Sequence, residues 1–153
     1  MPAAGSSSAS VSSAESNFSV QKTPPRQLAR QAALGALEKQ ALDIAILDLR
    51  GVSTVADYFV LCNGESDLQI KAIRDEIRDR IEEQFEETPW HVEGDDHWRW
   101  VVMDYVDVVV HIFRPDKREF YDLERLWGDA PIERIEDGQE EITVPGPSEE
   151  ESE

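Results

Sequence analysis

The sequence predicts an α+β fold, a single domain built on one mixed, mainly five-stranded sheet that helices cover. The first observation behind this prediction is a β-hairpin signal. Two runs rich in β-branched and aromatic residues, 98–103 and 108–113, flank a four-residue break. The second observation is that side-chain alternation leaves both faces of the run 108–113 largely apolar. A strand buried on both faces lies inside its sheet and needs further layers to cover it.

Elements ahead of this hairpin supply neighbouring strands and a covering layer. They are predicted as a helix over 26–39, strands over 43–49 and 58–62, a long helix ending near Phe85, and a short strand over 90–93. Ser66 opens the long helix, and Gln69 three residues later completes a capping-box pattern. The apolar stripe of that helix consists of Ile70, Ile73, Ile77, Ile81 and Phe85. This helix is therefore expected to cover the sheet.

The chain after the hairpin predicts one more helix and then a tail. Asp116 occupies an N-cap position with Glu119 three residues later, and Gly128 ends the helix. Beyond Ile132 the sequence is acidic and carries few apolar residues. The predicted organisation is a disordered Ser/Ala-rich extension over 1–26, a folded domain over 27–132 and an acidic disordered tail over 133–153.

Charge and composition narrow the class of partner. The 153 residues carry a formal net charge of −18, which argues against direct nucleic-acid binding and favours a basic partner protein. The apolar runs are far shorter than the roughly 20 residues that span a bilayer, so no membrane association is expected. The single cysteine, Cys62, lies in an apolar run and is expected to be a core residue in a reducing compartment. A cytoplasmic location is the resulting expectation.

Motifs for catalysis are hard to find in this chain. No P-loop, dinucleotide fingerprint, zinc-spaced Cys/His pairs or nucleophile elbow is present. Asp104 and Asp107 bound the hairpin turn and resemble a carboxylate pair for magnesium, so metal-dependent catalysis stays open as an alternative. The prevailing expectation is a protein without catalytic residues, cofactor or metal.

Three motifs in fixed order resemble the ribosomal silencing factor family, also called the Iojap family. They are DLRGVSTVADYFVLCNGES at 48–66, Glu93-Gly94 followed by WVVMDYVDVVVHIF at 100–113, and REFYDLERLW at 118–127. The resemblance covers roughly residues 28 to 128. It implies a nucleotidyltransferase-like α+β fold without transferase activity. It also implies binding to the large ribosomal subunit through large-subunit ribosomal protein fourteen, which blocks joining of the small subunit and lowers translation when nutrients are scarce. A metal-dependent nucleotidyltransferase-like enzyme stays the alternative, although two residues separate Asp104 and Asp107 where Asp-x-Asp spacing has one.

The resemblance also implies where the ribosomal partner binds. The family's contact residues match Trp100 and Asp104, and alternation places Val102 between them on one face of the strand. Asp107, at the other end of the hairpin turn, completes the predicted partner-binding set. A homodimer of the free protein is a further expectation.

Two positions depart from the family pattern. Leu68 replaces the Arg of a Ser-x-Arg-Gln opening, and Val106 replaces the Gly of Asp-Tyr-Gly-Asp. Because β-branched residues resist positive φ, the hairpin tip is expected to be rearranged and to avoid the glycine conformation.

Overall fold

The computed structural model describes residues 23–136, so most of the predicted N-terminal extension and acidic tail lies outside the described residues. The helices are α1 (Pro25–Glu38), α2 (Asp67–Phe85), α3 (Pro115–Tyr121) and α4 (Leu123–Leu126). The strands are β1 (Leu42–Asp48), β2 (Tyr58–Asn63), β3 (His91–Glu93), β4 (Trp100–Asp104), β5 (Val108–Phe113) and β6 (Ile132–Ile135). None of the helices within residues 23–136 combines the length and apolar character needed to cross a membrane.

All six described strands form one mixed sheet in the order β3-β4-β5-β2-β1-β6. The β2–β5 pair is parallel, and the other neighbouring pairs are antiparallel. β5 lies inside the sheet and all six of its residues are buried, as its two apolar faces predict. The prediction of an α+β domain with a mixed sheet is confirmed.

One face of the sheet is covered by α1 and α2, which also pack against each other. The predicted isoleucine stripe of α2 faces this core, since Ile70, Ile73, Ile77 and Ile81 are fully buried. Ser66 caps the helix as expected, accepting a hydrogen bond from the Gln69 backbone N–H at 3.1 Å. Cys62 is fully buried in the same core, where burial raises the pKa of its thiol to about 12.

The opposite face has a smaller apolar cluster and a thinner cover. Its buried members come mainly from β1, β2 and β5, and the partly buried Leu123 and Trp127 pack against them from the segment that follows α3. The Trp127 indole meets the Phe59 ring edge-on, with centroids 6.2 Å apart. This cover lies against β2, so the β3–β4 side of the same face has no helix over it among the described residues.

A sixth strand corrects the predicted domain boundary. The sequence-based boundary assigned residues from 133 onward to a disordered tail and predicted mainly five strands, whereas Ile132–Ile135 is a strand antiparallel to β1. Glu133 and Ile135 are buried on it. A four-residue strand with two charged residues carries almost no alternation signal, and its partner β1 lies far back in the chain, so local patterning could not reveal it.

The start of the domain and the last helix also differ from the prediction. α1 begins at Pro25, so the end of the predicted extension belongs to the fold. The single predicted helix is two helices, because Asp122 has a left-handed φ of 48° and its side chain caps α4 by accepting from the Arg125 N–H. Arg114, rather than Asp116, is the N-cap of α3, since Pro115 with its fixed φ occupies the first helical turn.

Candidate functional site

β4 presents three of the four predicted partner-binding residues on one face. Trp100, Val102 and Asp104 are each half-buried, whereas Val101 and Met103 between them are fully buried on the helix-covered side. This alternation is the one that the sequence predicts for a strand with a single covered face. The half-exposed side is the uncovered β3–β4 part of the sheet, which we call the open face.

Trp100 is held in a defined orientation on the open face. Its indole N–H donates to Nδ1 of His111 at 3.1 Å, and its ring stacks on Phe113, the residue opposite it on β5, with centroids 5.1 Å apart. Gly94 lets the chain before β4 pack closely against the Trp100 backbone. A Cβ at this position of positive φ would stand 1.9 Å from the Trp100 carbonyl oxygen. The indole nitrogen is therefore occupied within the protein, and the ring is the part left to meet a partner.

His111 forms the floor beneath Trp100. It is 6% exposed and packs against the Phe59 ring at a centroid distance of 4.6 Å. Burial lowers the pKa of its imidazole to about 3, so the ring is neutral at pH 7. Because Nδ1 accepts from Trp100, the ring proton is assigned to Nε2. That Nε2 atom has no hydrogen-bond partner among the described residues.

Acidic groups border the apolar strip formed by Trp100 and Val102. Across the β3–β4 ladder, Glu93 is opposite Val102 and His91 is opposite Asp104. His91 and Glu93 are exposed, and their Nε2 and Oε2 atoms lie 2.7 Å apart. On its other side Val102 faces the buried His111 of β5. The open face is thus an apolar strip on β4, between the buried aromatic residues of β5 and an acidic rim on β3.

The hairpin tip adopts the conformation that Val106 was expected to avoid. Val106 has a φ of 76°, so the expectation from its β-branched side chain was wrong. The tip contains a three-residue turn, in which the Asp107 N–H donates to the Tyr105 carbonyl at 3.0 Å. Asp104 supports this turn, because its carboxylate accepts from the Val106 N–H at 2.7 Å.

Asp107, the fourth predicted residue, lies at the tip and away from Trp100. Its carbonyl accepts from the N–H groups of Asp57 and Tyr58 at 2.8 and 3.1 Å, which ties the tip to the start of β2.

Leu68, the other departure from the family pattern, is 82% exposed in the first turn of α2. Within residues 23–136, no three His, Cys, Asp or Glu side chains come together in a way that could hold a metal ion.

Sequence reasoning missed how His111 and Glu93 join the site. Alternation did place His111 on one face with Phe113, but it could not show which β4 residue would lie beside them. That neighbour depends on the hairpin register, which the turn determines. Glu93 belongs to a three-residue strand, too short to carry an alternation pattern of its own.

Comparisons with known proteins identify the family of this chain. The family model described as "Ribosomal silencing factor during starvation" matches residues 21–153. The chain is 45% identical over 113 residues to the ribosomal silencing factor of Bacillus subtilis, covering 74% of this chain and 95% of that protein. It is 40% identical over 103 residues to the chloroplastic protein Iojap of Zea mays, covering 66% of this chain and 44% of that protein.

Solved structures show the same fold. A crystal structure from Bacillus halodurans superposes with a TM-score of 0.60 at 36% identity, covering 67% of this chain and 94% of that chain. A second, from Chromobacterium violaceum, reaches a TM-score of 0.66 at 24% identity and covers 80% of this chain and 95% of that one. The extent of the family match and the identity to the bacterial relative lead to one conclusion: the chain belongs to the ribosomal silencing factor family.

Proposed function

We propose that this protein binds the large ribosomal subunit through large-subunit ribosomal protein fourteen, blocks joining of the small subunit and so represses translation under nutrient limitation. The observation that carries the proposal is the open face of the sheet. There the ring of Trp100 is half-exposed and held in place from below, beside Val102 and Asp104. A rigid aromatic anchor with charged groups around it is the usual form of an interface hot spot.

Charge supports a basic protein as the partner. The chain carries a formal net charge of −18, and the rim of the open face contains the carboxylates of Glu93 and Asp104. Ribosomal proteins bind RNA through Lys and Arg, so their surfaces complement such a rim. Direct binding to ribosomal RNA is disfavoured because phosphates would meet the same carboxylates.

The proposed mechanism is occlusion rather than chemistry. A protein seated on the subunit surface that faces the small subunit prevents joining by occupying space, with no reaction step and no cofactor. In bacteria the targets would be cytoplasmic ribosomes. The nucleotidyltransferase-like character of the fold and the homodimer of the free protein stay predictions.

Trp100 has a part in folding as well as in the proposed binding, and the two can be separated by measurement. We expect Trp100→Ala to lower the free energy of unfolding by roughly 2 kcal/mol, less than the loss of a fully buried Trp. We expect it to weaken binding by at least about 30-fold, the equivalent of a hot-spot loss near 2 kcal/mol. Trp127→Ala is the matched control. It removes a partly buried Trp that packs against the same apolar cluster but lies over β2, away from the open face.

The test is sedimentation of the pure protein with isolated large subunits, small subunits and joined ribosomes, followed by a subunit-joining assay. We expect binding to large subunits alone, inhibition of joining, loss of both with Trp100→Ala and retention of both with Trp127→Ala. Equal pelleting with small subunits, or unaffected joining at saturating protein, would show that the proposed function is wrong. Wild-type affinity in folded Trp100→Ala protein would remove Trp100 from the site.

A further inference from the structure

Two large apolar side chains lie exposed on either side of Asp104. Trp90 is 78% exposed just before β3, and Val106 is 56% exposed at the hairpin tip. Asp104 accepts hydrogen bonds from the backbones of both residues, through its main chain from one and through its side chain from the other. Its carbonyl accepts from the Trp90 N–H at 2.7 Å, and its carboxylate accepts from the Val106 N–H at 2.7 Å. We call these three residues the tip patch.

The tip patch sits on a well-supported part of the fold. Tyr105, between Asp104 and Val106, is buried against the helix-covered core, and its N–H donates to the Val108 carbonyl at 2.8 Å. The carbonyl of Asp107 is anchored by the N–H groups of Asp57 and Tyr58 at the start of β2. Trp90 and Val106 therefore project from a fixed backbone, and ordering them in a complex would require little further loss of conformational freedom.

Charges around the tip patch indicate the chemistry of its occupant. The chain on either side of Trp90 is acidic, because Glu86 and Glu87 precede it and Glu93 follows it, and Glu86 and Glu93 are exposed. With the carboxylate of Asp104 added, the surroundings are strongly negative. Phosphates would be repelled, and so would a second copy of a chain whose net charge is −18.

We infer that the tip patch is a second anchor for the basic ribosomal partner, with Trp90 entering an apolar hollow bordered by Lys or Arg side chains. This inference rests on the proposed function and extends its surface from the open face around the end of the hairpin. An exposed tryptophan with acidic neighbours has the composition of an interface hot spot, since aromatic residues and Arg are enriched at interfaces. Trp90 lies outside the motifs that carry the family resemblance.

Trp90→Ala tests the inference on purified large subunits. Because Trp90 is exposed, we expect unchanged unfolding by denaturant and an affinity about 30-fold weaker than that of the wild type. Leu68→Ala is the matched control: Leu68 is 82% exposed, but it lies in the first turn of α2, at the end of the helix remote from the tip. We expect less than a twofold change in affinity for the control.

The outcomes separate this inference from the proposed function. Wild-type protein that binds large subunits while Trp90→Ala binds equally well would overturn the tip patch alone. Wild-type protein that fails to bind large subunits would overturn both. Sedimentation analysis of the free protein adds one more check. Self-association of the wild type that Trp90→Ala abolishes would make the occupant a second copy, and the basic partner would be wrong.

Discussion

The buried His111 should make the stability of this protein sensitive to mild acid. In the folded state burial lowers the pKa of His111 to about 3 from its ordinary value of 6.5. Between those two values the unfolded chain binds a proton that the folded chain does not, so stability is complete above about pH 6.5 and falls as the pH is lowered. At about 1.36 kcal/mol per unit, the loss between pH 7.5 and pH 4.5 is roughly 3 kcal/mol.

The informative substitution is His111→Asn. The amide oxygen of Asn can take the place of Nδ1 as acceptor for the Trp100 N–H, which the protein holds at 3.1 Å, but it does not take up a proton in this range. The lost ring leaves space next to Phe59 and Phe113, so we expect a cost of roughly 2 kcal/mol at pH 7. The variant should then lose less stability than the wild type in mild acid and equal it near pH 5.

Urea unfolding followed by tryptophan fluorescence at intervals from pH 7.5 to pH 4.5 measures both curves. The carboxyl groups are the same in both proteins, so the difference between the two curves isolates the imidazole. Parallel curves for wild type and His111→Asn would refute the reasoning. So would an NMR titration that places the pKa of His111 near 6.5 in the folded protein.

Two further predictions concern local strain and a buried acid. Val106→Gly should raise the free energy of unfolding by roughly 1 kcal/mol in denaturant titrations. The substitution relieves the backbone strain at φ 76°. The greater freedom of glycine in the unfolded chain and the loss of the partly buried Val side chain offset part of this gain. A variant that is destabilised by about 1 kcal/mol instead would show that the turn is unstrained. Glu133→Gln should stabilise the protein at pH 7 by on the order of 1 kcal/mol, because burial raises the pKa of Glu133 despite Arg26 and Arg30 nearby. As the pH rises, residue 133 of the wild type ionises in the unfolded chain before it ionises in the folded protein. The gain from Gln should therefore vanish below about pH 4 in denaturant titrations, and a gain that persists there would point to another cause.

Side chains that depend on one element alone were predictable from the sequence. The alternation of Trp100 and Val102 against Val101 and Met103 is a property of a single strand with one covered face, and it is found as expected. The isoleucine stripe of α2 is likewise a property of one helix. In both cases the residues that share a face are set by backbone geometry, which does not depend on what the element packs against.

Features that depend on two distant elements were not predictable. The bond from Trp100 to His111 requires the β4–β5 register, and β6 requires a partner strand far back in the chain. Val106 shows a third limit, because local preference disfavours its positive φ. The hydrogen bonds that the Val106 N–H donates to Asp104 and the Asp107 N–H donates to Tyr105 hold Val106 at that φ.

The open face follows from how the short helices are fastened. Arg118 of α3 binds Glu124 through a close ion pair of 2.6 Å and donates to Asn63 of β2 at 3.0 Å. This holds the segment after α3 over the β1–β2 side, where Trp127 meets Phe59. No helix remains among the described elements for the β3–β4 side of that face. The aromatic cluster around Trp100 takes the place of a covering layer there. A partner that binds this face, as proposed, would meet a surface that is already ordered, so little affinity would be lost to reordering.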